Sequence, residues 1–303
     1  MQRVFNNELT FKITFEDSFN EDHFKKIKNL EDKINELIKK DLQQTIKLNK
    51  SYKSGIKYFT QKLKLNKNFS FIKFGDGELL CMLGAKGENC DFHPYSERLS
   101  KLLQISFSQI FKDSNVYLAD WKDNLIDVRD QYIKVNDLEP KFADYDCFLT
   151  VTDNLKSDDL LNFYRELKIT KRKKIFVGPD KLLDLNDMLK IDDYIQVPSV
   201  DAFSKYDEIS KYLTKNVDDN NIYILCCSMM SCVLCHDLLK RNTNITVLDI
   251  GSGFDPIFSE KTRPKQPTME ECHSYYKSII PEKIIRKKLE IATSTLTNHP
   301  SFI

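Results

Sequence analysis

Glycine is scarce in this chain. Only 8 of its 303 residues are glycine, where ~7% is usual. Four of the eight fall in two short windows, Gly75 with Gly77 and Gly251 with Gly253. A chain that uses so little glycine is expected to place it where the backbone turns tightly or approaches a ligand. These two windows are therefore the first candidates for a functional site.

Long apolar runs are also missing. No stretch approaches the ~20 apolar residues of a membrane-spanning helix, and the first residues lack the apolar centre of a signal peptide. The eight cysteines do not form the pattern of a secreted disulfide framework, because several lie inside apolar runs. We therefore expect a cytoplasmic protein with no membrane span.

The chain has no excess charge of either sign. Lys and Arg together number 46 and Asp and Glu 45, so the formal net charge is +1. Proteins that hold a nucleic-acid backbone usually carry a clear basic excess, so we expect no nucleic-acid partner. With 41% hydrophobic and 30% charged residues, the composition is that of an ordinary globular protein.

Residues 1–66 are expected to form a helical extension. An alternating pattern at residues 8–17 predicts a short strand. Between residues 21 and 50 apolar residues recur at steps of three and four, which predicts one or two amphipathic helices. Two roles stay open for this extension: packing on the main domain, or self-association into a homo-oligomer.

From residue 69 onward, short apolar runs alternate with helical patterns. The runs predict strands at 69–74, 115–119, 146–151, 174–177, 194–197, 222–226 and 245–250. The patterns between them predict helices at 95–111, 123–134, 158–168, 181–190, 203–214, 229–240 and 271–292. This alternation is typical of an α/β fold with a Rossmann-like, mostly parallel sheet and helices on both faces.

We expect this α/β domain to span residues 67–270, with a C-terminal helix within 271–303 packed on it. Residues 251–269 contain three prolines and are predicted to be one long irregular loop. A loop of that length inside a compact domain often carries a function.

The first candidate site is the run Lys-Phe-Gly-Asp-Gly-Glu at residues 73–78, directly after the first predicted strand. Ligands of parallel α/β sheets bind at the carboxyl ends of the strands. Asp76 and Glu78 project from a turn that two glycines make possible, and paired carboxylates suit Mg²⁺ or Mn²⁺ bound to substrate phosphates. An Asp-Gly turn in which Asp76 caps the next helix is the equally weighted alternative.

The second candidate site follows the last predicted strand, where Asp249 precedes Ile-Gly-Ser-Gly at residues 250–253. An acid before a Gly-x-Gly turn is how S-adenosylmethionine methyltransferases begin their cofactor site, so a methyltransferase is the alternative enzyme. In that fold the motif follows the first strand, whereas here only about 50 residues come after it. A non-catalytic nucleotide-binding module is the third alternative.

Four cysteines and a histidine lie close together at residues 226–236, which invites a zinc interpretation. Two of these cysteines end an apolar strand and two lie on the following helix, so buried cysteine acting as a small apolar side chain is favoured. Ser228, at this strand-to-helix turn, is a candidate for holding a phosphate. His93 and Arg263 complete the candidate set, and Arg263 could neutralise a diphosphate.

Four segments together resemble the GT-D-fold glycosyltransferases, a family first recognised as a bacterial domain of unknown function. They are residues 70–78 with Phe-His-Pro-Tyr at 92–95, residues 174–179, residues 197–207, and residues 247–255 with Arg263. The likeness covers roughly residues 68–265, in the order and spacing of the family.

The resemblance implies a hexosyltransferase-like enzyme. It would transfer a sugar from a nucleoside-diphosphate donor, UDP-linked by family analogy, to a glycan or glycoprotein acceptor. Asp76 and Glu78 would serve a divalent metal (Mn²⁺ or Mg²⁺), with Glu78 as the direct ligand.

The resemblance also assigns residues to the two substrates. The implied donor contacts are Lys73, Phe74, Gly75, Gly77, Gly178, Pro179, Asp201, Ser228, Gly251, Ser252 and Arg263. Asp249 and Asp255 would face the sugar or the acceptor, and with His93 they are the candidates for a catalytic base. Many relatives carry Arg in place of Lys73 and Asn in place of Asp201. Since Lys cannot form a bidentate fork to phosphate, donor contacts at Lys73 are expected to differ.

Overall fold

The computed structural model describes residues 55–112, 115–122, 125–259 and 261–285. The predicted strand at 8–17 and the helices between 21 and 50 lie outside the described residues. The division into 1–66, 67–270 and 271–303 and the role of the extension in self-association therefore stay predictions. The single helix predicted at 271–292 is wrong, because the helix that begins at Met269 ends at Tyr276 and residues 277–281 are not helical.

Seven strands within the described residues form one sheet. They are β1 (Ser70–Ile72), β2 (Val116–Asp120), β3 (Lys141–Asp144), β4 (Lys174–Pro179), β5 (Asp193–Val197), β6 (Ile222–Leu225) and β7 (Thr246–Asp249). Their order across the sheet is β3-β2-β1-β7-β6-β4-β5, and every neighbouring pair is parallel. The predicted α/β fold with a Rossmann-like parallel sheet is confirmed.

The helices predicted between residues 95 and 240 are confirmed to within a few residues. The α-helices of the described ranges are α1 (Ile56–Lys64), α2 (Asp76–Met82), α3 (Glu97–Ile110), α4 (Ile126–Val135), α5 (Asp159–Ile169), α6 (Leu185–Leu189), α7 (Tyr206–Lys215), α8 (Met230–Arg241), α9 (Asp255–Phe258) and α10 (Met269–Tyr276). No helix in these ranges is both long enough and apolar enough to cross a membrane.

The helices cover both faces of the sheet. On one face α3 packs against α8, and α8 packs against α7; on the other, α1 packs against α5, and α5 packs against α6. The segment after β1 leads to α2 and α3 on the first face. The segment after β7 leads to α9 and α10, whose buried residues join the core of the second face. A crevice therefore opens between the carboxyl ends of β1 and β7, where ligands of open parallel sheets bind.

Helix α1 belongs to the core although it lies within the predicted extension. Phe59 is fully buried, and its ring centroid lies 4.9 Å from that of Phe69 and 5.2 Å from that of Phe148. Helix α1 is therefore part of the same compact unit as the sheet.

The strand predicted at residues 146–151 is wrong. The third strand is Lys141–Asp144, and the apolar run after it forms turns. The side-chain amide of Asn154 donates to two carbonyl oxygens of this run, at 2.7 and 2.8 Å. Because these half-buried carbonyls find a partner there, the run can pack against the core without joining the sheet.

The stretch predicted to be irregular at 251–269 is also partly ordered. It begins with a 3₁₀ turn at Gly251–Phe254 and continues as α9, which carries Pro256 in its first turn. Proline is tolerated there because the first turn of a helix has no use for its missing N–H. The irregular part is thereby confined to the residues that follow Phe258.

Candidate active site

A cavity of about 880 Å³ lies along the carboxyl edge of the sheet. The segments after all seven strands contribute to its wall, from Trp121 after β2 to Val200 after β5. The crevice between β1 and β7 lies in its centre. Its size is within the range of ordinary small-molecule sites.

Most of the sequence-predicted site residues line this cavity. Twelve of the sixteen do so: Lys73, Asp76, Gly77, Glu78, His93, Pro179, Ser228, Asp249, Gly251, Ser252, Asp255 and Arg263. Phe74, Gly75, Gly178 and Asp201 do not. The fold thus brings together residues from widely separated parts of the sequence.

Asp76 and Glu78 lie in the first turn of α2. One oxygen of Glu78, Oε2, accepts a hydrogen bond from the backbone N–H of Gly75 at 2.9 Å, and Oδ1 of Asp76 accepts one from Gly77 at 2.9 Å. The N-cap residue is Gly75, so the alternative in which Asp76 caps the helix is wrong. The capping contact belongs to Glu78, and it uses one of its two carboxylate oxygens.

Glu78 shares the crevice with a second carboxylate, that of Asp249 at the end of β7. Asp249 is 4% exposed, and its Oδ2 accepts a hydrogen bond from the backbone N–H of Lys73 at 3.1 Å. Burial raises the pKa of Asp249 to about 6. Burial, and next the negative charge of Asp249, raise the pKa of Glu78 to about 7. The pair would therefore be stabilised by additional positive charge.

The positive charge of Lys73 acts on both carboxylates of this pair. Lys73 is buried, and its Nζ donates to the carbonyl oxygen of Ile250 at 2.8 Å. The ammonium also lies 5.7 Å from the centre of the Tyr145 ring. Lys73 therefore ties the end of β1 to the turn after β7 while its charge opposes the repulsion between the two carboxylates.

A second turn, between β6 and α8, presents Ser228 to the cavity. Ser228 has a left-handed backbone with φ 54°, and its Oγ accepts a hydrogen bond from the side-chain amide of Asn89 at 2.9 Å. Asn89 in turn accepts the backbone N–H groups of Asp91 and His93, both at 3.0 Å. Asn89 was not predicted, and it connects the loop after α2 to the turn after β6.

His93 is held in one orientation. Its Nδ1 accepts a hydrogen bond from the backbone N–H of Ala202 at 3.3 Å, and burial lowers the pKa of the ring. The neutral ring then carries its proton on Nε2, so His93 can donate to a ligand but not accept from it there. Asp201, with φ 53°, begins the 3₁₀ turn that presents Ala202.

The far wall of the cavity contains two ion pairs. Asp255 is buried, and its Oδ2 lies 3.1 Å from Nζ of Lys181; burial raises the pKa of this carboxyl. Arg263 donates to both oxygens of Asp91, at 2.7 and 2.6 Å, and lies 3.3 Å from Sγ of the exposed Cys90. The guanidinium predicted to neutralise a diphosphate is thus paired with an aspartate in this structure.

Three of the predicted residues outside the cavity wall have structural contacts that account for their positions. The Phe74 ring is fully buried, 4.8 Å from the Phe107 ring of α3. A Cβ at Gly178 would overlap the Phe176 ring, and one at Gly75 would lie 3.0 Å from the hydroxyl oxygen of Tyr145.

The family model described as "Glycosyltransferase GT-D fold" matches residues 71–255 of the chain, from β1 to the start of α9. The chain belongs to this family. The GT-D match favours the glycosyltransferase interpretation over the methyltransferase one. It also joins the two glycine windows in one domain.

Two solved structures are similar to this GT-D chain. One is described as "Selenomethionine substituted structure of domain of unknown function 1792 (DUF1792)" and the other as "The highly conserved domain of unknown function 1792 has a distinct glycosyltransferase fold". They are 19% and 20% identical to this chain, and each comparison covers 78% of this chain and 94% of the other, with a TM-score of 0.48. No functionally curated protein matches the chain.

The carboxylates of this GT-D site fit a hard divalent cation. Within the described residues, no three His, Cys, Asp or Glu side chains are grouped closely enough to hold a metal ion by themselves. Mg²⁺ and Mn²⁺ at nucleotide sites need only one or two carboxylates, since phosphates and water supply the other oxygens. Asp76 and Glu78 offer that set, and the raised pKa of Glu78 indicates a place where a cation would be stabilised.

Two aromatic residues of the cavity were missed by sequence reasoning. Trp121 follows β2 and Tyr145 follows β3, and their ring centroids lie 4.7 Å apart with 61° between the ring planes. We call this pair the aromatic corner. The carbonyl oxygen of Trp121 accepts a hydrogen bond from the buried Arg129 at 2.8 Å, which fixes the backbone at the corner. The signal in the sequence was a single tryptophan two residues after a predicted strand.

The role of Gly251, in the second glycine window, can be tested by mutation. Gly251 has φ +57°, and a Cβ there would overlap the ammonium of Lys73. We expect Gly251→Ala to lower the free energy of unfolding by about 1–2 kcal/mol from backbone strain alone, and by more if Lys73 loses its bond to Ile250. Gly84→Ala is the control, because Gly84 has φ +80° and nothing within 4 Å of its Cβ position. Denaturant unfolding of both variants separates the effect of backbone strain from that of the lost Lys73–Ile250 hydrogen bond. If Gly251→Ala and Gly84→Ala lowered the free energy of unfolding equally, the role of Lys73 would be contradicted.

Proposed function

We propose that this GT-D protein is a metal-dependent glycosyltransferase that moves a sugar from a UDP-linked donor to a glycan or glycoprotein acceptor. The observation that carries the proposal is the carboxylate set of Asp76, Glu78 and Asp249 in the crevice between β1 and β7. It is supported by family membership over residues 71–255. The cavity of about 880 Å³ offers room for a nucleotide sugar together with one acceptor residue.

Each side chain of the crevice has a proposed task. Asp76 and Glu78 would hold the divalent metal, which when bound supplies positive charge for the departing diphosphate. The Ser228 hydroxyl, fixed by Asn89, would donate to a phosphate oxygen. Lys73 would keep the two strand ends together beneath the diphosphate, because its ammonium is already bonded to Ile250.

Asp249 is the best of the three candidate bases. Its pKa of about 6 leaves it ionised at neutral pH, which suits proton transfer from an acceptor hydroxyl. Asp255 is instead paired with Lys181. His93 presents its protonated Nε2, so in that tautomer it can only donate. Asp249 is therefore the residue to which we assign the acceptor proton.

Thermal unfolding with nucleotides tests the donor site. UDP together with Mn²⁺ should stabilise the protein more than UDP alone or Mn²⁺ alone. It should also stabilise the protein more than GDP together with Mn²⁺. A ligand at 100 times its Kd adds about 2.7 kcal/mol if it binds only the folded state. Glu78→Gln should lose the part of the stabilisation that depends on Mn²⁺, because the amide cannot replace the carboxylate as a ligand.

The matched control is Glu97→Gln, the same change at an exposed glutamate that does not line the cavity. It should keep the full stabilisation by UDP and Mn²⁺. An identical Mn²⁺ effect in Glu78→Gln would contradict the metal assignment. Strong nucleotide binding without transfer to any glycan would instead favour the non-catalytic module.

A further inference from the structure

The aromatic corner is a part of the cavity to which the proposed chemistry gives no task. Trp121 and Tyr145 both line the cavity, at the end formed by β2 and β3. Pro179 and Ser228 line the portion formed by β4 and β6. Strands β1 and β7 lie between these two portions in the sheet. The carboxylates of Glu78 and Asp249 therefore separate a ligand at the aromatic corner from Ser228.

The corner offers an apolar surface together with polar groups. Among the residues that the structure describes, none forms a hydrogen bond with the hydroxyl of Tyr145. That oxygen would lie 3.0 Å from a Cβ at Gly75, beside the N-terminus of α2. Asp146, the next residue, also lines the cavity and supplies acceptor oxygens. Burial holds the pKa of Tyr145 well above its ordinary value, so its hydroxyl keeps its proton at neutral pH and can donate it to a ligand in the cavity.

This combination matches the chemistry of a pyranose. One face of such a ring presents C–H groups with partial positive charge, which are attracted to the negative face of an aromatic ring. Its rim presents hydroxyl groups that both donate and accept. A planar nucleobase fits less well, because two rings inclined at 61° cannot both stack in parallel on it.

We propose that the aromatic corner is a sugar-binding subsite, in which Trp121 and Tyr145 hold one pyranose ring and the Tyr145 hydroxyl donates to one of its oxygens. This inference rests on the proposed function, and it specifies the part of the cavity in which one sugar ring binds. The ring comes from one of two sources, the donor or the acceptor. The bond of Arg129 to the Trp121 carbonyl keeps the platform in place before a ligand arrives.

Intrinsic fluorescence tests the subsite directly, because Trp121 is the single tryptophan of the chain. The full-length protein with Mn²⁺ is titrated separately with UDP, with UDP-glucose or UDP-galactose, and with the methyl glycosides of glucose, galactose and N-acetylglucosamine. Tryptophan is excited at the red edge of its band, where tyrosine absorbs little. We expect a saturable change in emission with a sugar-bearing ligand and almost none with UDP.

The two sources of the sugar give different results, and both support the subsite. A change with UDP-sugar but not with methyl glycosides identifies the donor's own sugar. A change with methyl glycosides identifies an acceptor ring. The same change with UDP as with UDP-sugar would place the base or the phosphates at Trp121 and overturn the proposal.

A pair of tyrosine variants tests the hydroxyl. Tyr145→Phe keeps the ring and should raise the half-saturating concentration of the responding sugar about 10-fold, the effect of one lost hydrogen bond. Tyr132→Phe is the control, because Tyr132 does not line the cavity. Among the described residues, its hydroxyl donates a hydrogen bond only to the Met82 carbonyl oxygen, at 3.3 Å. Tyr132→Phe should leave the titration unchanged. Equal titrations for Tyr145→Phe and the unmodified protein would refute the role of the hydroxyl.

Failure of the subsite and failure of the donor site are distinguishable. If UDP and Mn²⁺ stabilise the protein but no sugar-bearing ligand changes the Trp121 emission, the subsite is wrong and the donor proposal stands. If sugars change the emission but no nucleotide stabilises the protein, the subsite stands and the UDP donor is wrong.

Discussion

Glu78→Gln should lower kcat for sugar transfer at least about 100-fold, the size of effect seen when one group that stabilises developing charge is removed. The amide oxygen of glutamine can still accept the Gly75 N–H, so the start of α2 should be preserved. The loss should therefore appear in catalysis while the fold persists. Steady-state kinetics over a range of Mn²⁺ concentrations, with Glu97→Gln as control, measures this. Wild-type kcat in Glu78→Gln would show that Glu78 is not needed for transfer.

The same variant should be more stable than the unmodified protein at neutral and higher pH when metal is removed. The pKa of Glu78 is raised from 4.5 to about 7 in the folded chain, so its ionised form opposes folding. The contribution of the neutral carboxyl is fully present below pH 4.5 and is lost as pH rises towards 7. Unfolding in EDTA from about pH 5 to about pH 8 should therefore show a growing advantage of glutamine over glutamate. A difference that is constant with pH would contradict the raised pKa.

Arg129→Met should destabilise the protein by about 3–5 kcal/mol, because it breaks a buried ion pair by removing one of its two charges. The Arg129 side chain is 0% exposed and lies 3.0 Å from Asp120, which is 4% exposed. Arg129 also bonds to Asp130 at 2.7 Å and to the Trp121 carbonyl at 2.8 Å. Denaturant unfolding measures the loss. We expect weaker sugar effects on Trp121 emission in any fraction that stays folded.

Arg98→Met is the matched control for this change. Arg98 forms an ion pair with Asp207, but both side chains are exposed to solvent. Solvent screening and side-chain entropy cancel most of the attraction in such pairs, so stability should change little. If both variants lost a similar free energy of unfolding, the contribution of the Arg129–Asp120 pair to stability would not depend on its burial.

Six of the seven strands could be predicted from the sequence. Five of them, β1, β2, β4, β6 and β7, are buried at every residue, and strands that are covered on both faces of a parallel sheet form continuous apolar runs. Strand β3 could not be predicted, because two of its four residues, the charged Lys141 and Asp144, are exposed and leave only two apolar residues between them. The apolar run after it was mistaken for a strand. Phe148 in that run is fully buried against Phe59 and Phe71, and an apolar pattern does not distinguish a buried loop from a strand. The order of the strands across the sheet could not be predicted either, because an apolar run does not indicate which other strand it pairs with.

The candidate site was predictable where the backbone dictates position. Asp249 is the last residue of β7, and Asp76 and Glu78 lie in the first turn of the helix after β1, so all three had to lie at the carboxyl edge. The direction of a side chain was harder to predict: Phe74 belongs to the same run as Asp76 but packs against α3. Asn89 and the aromatic corner were missed because their roles depend on contacts across 139 and 24 residues respectively. Neither a lone asparagine nor a tyrosine after a strand signals such contacts.

The distribution of thiols gives the protein a chemical handle. Seven of the eight cysteines are buried, and Cys90 is exposed at the wall of the cavity. A maleimide reagent should therefore couple to one position per folded chain, next to the Arg263–Asp91 ion pair. A dye attached there would sense the filling of the cavity without any engineered residue. In denaturant the remaining thiols become reactive, so the number of labels per chain would also measure the unfolded fraction.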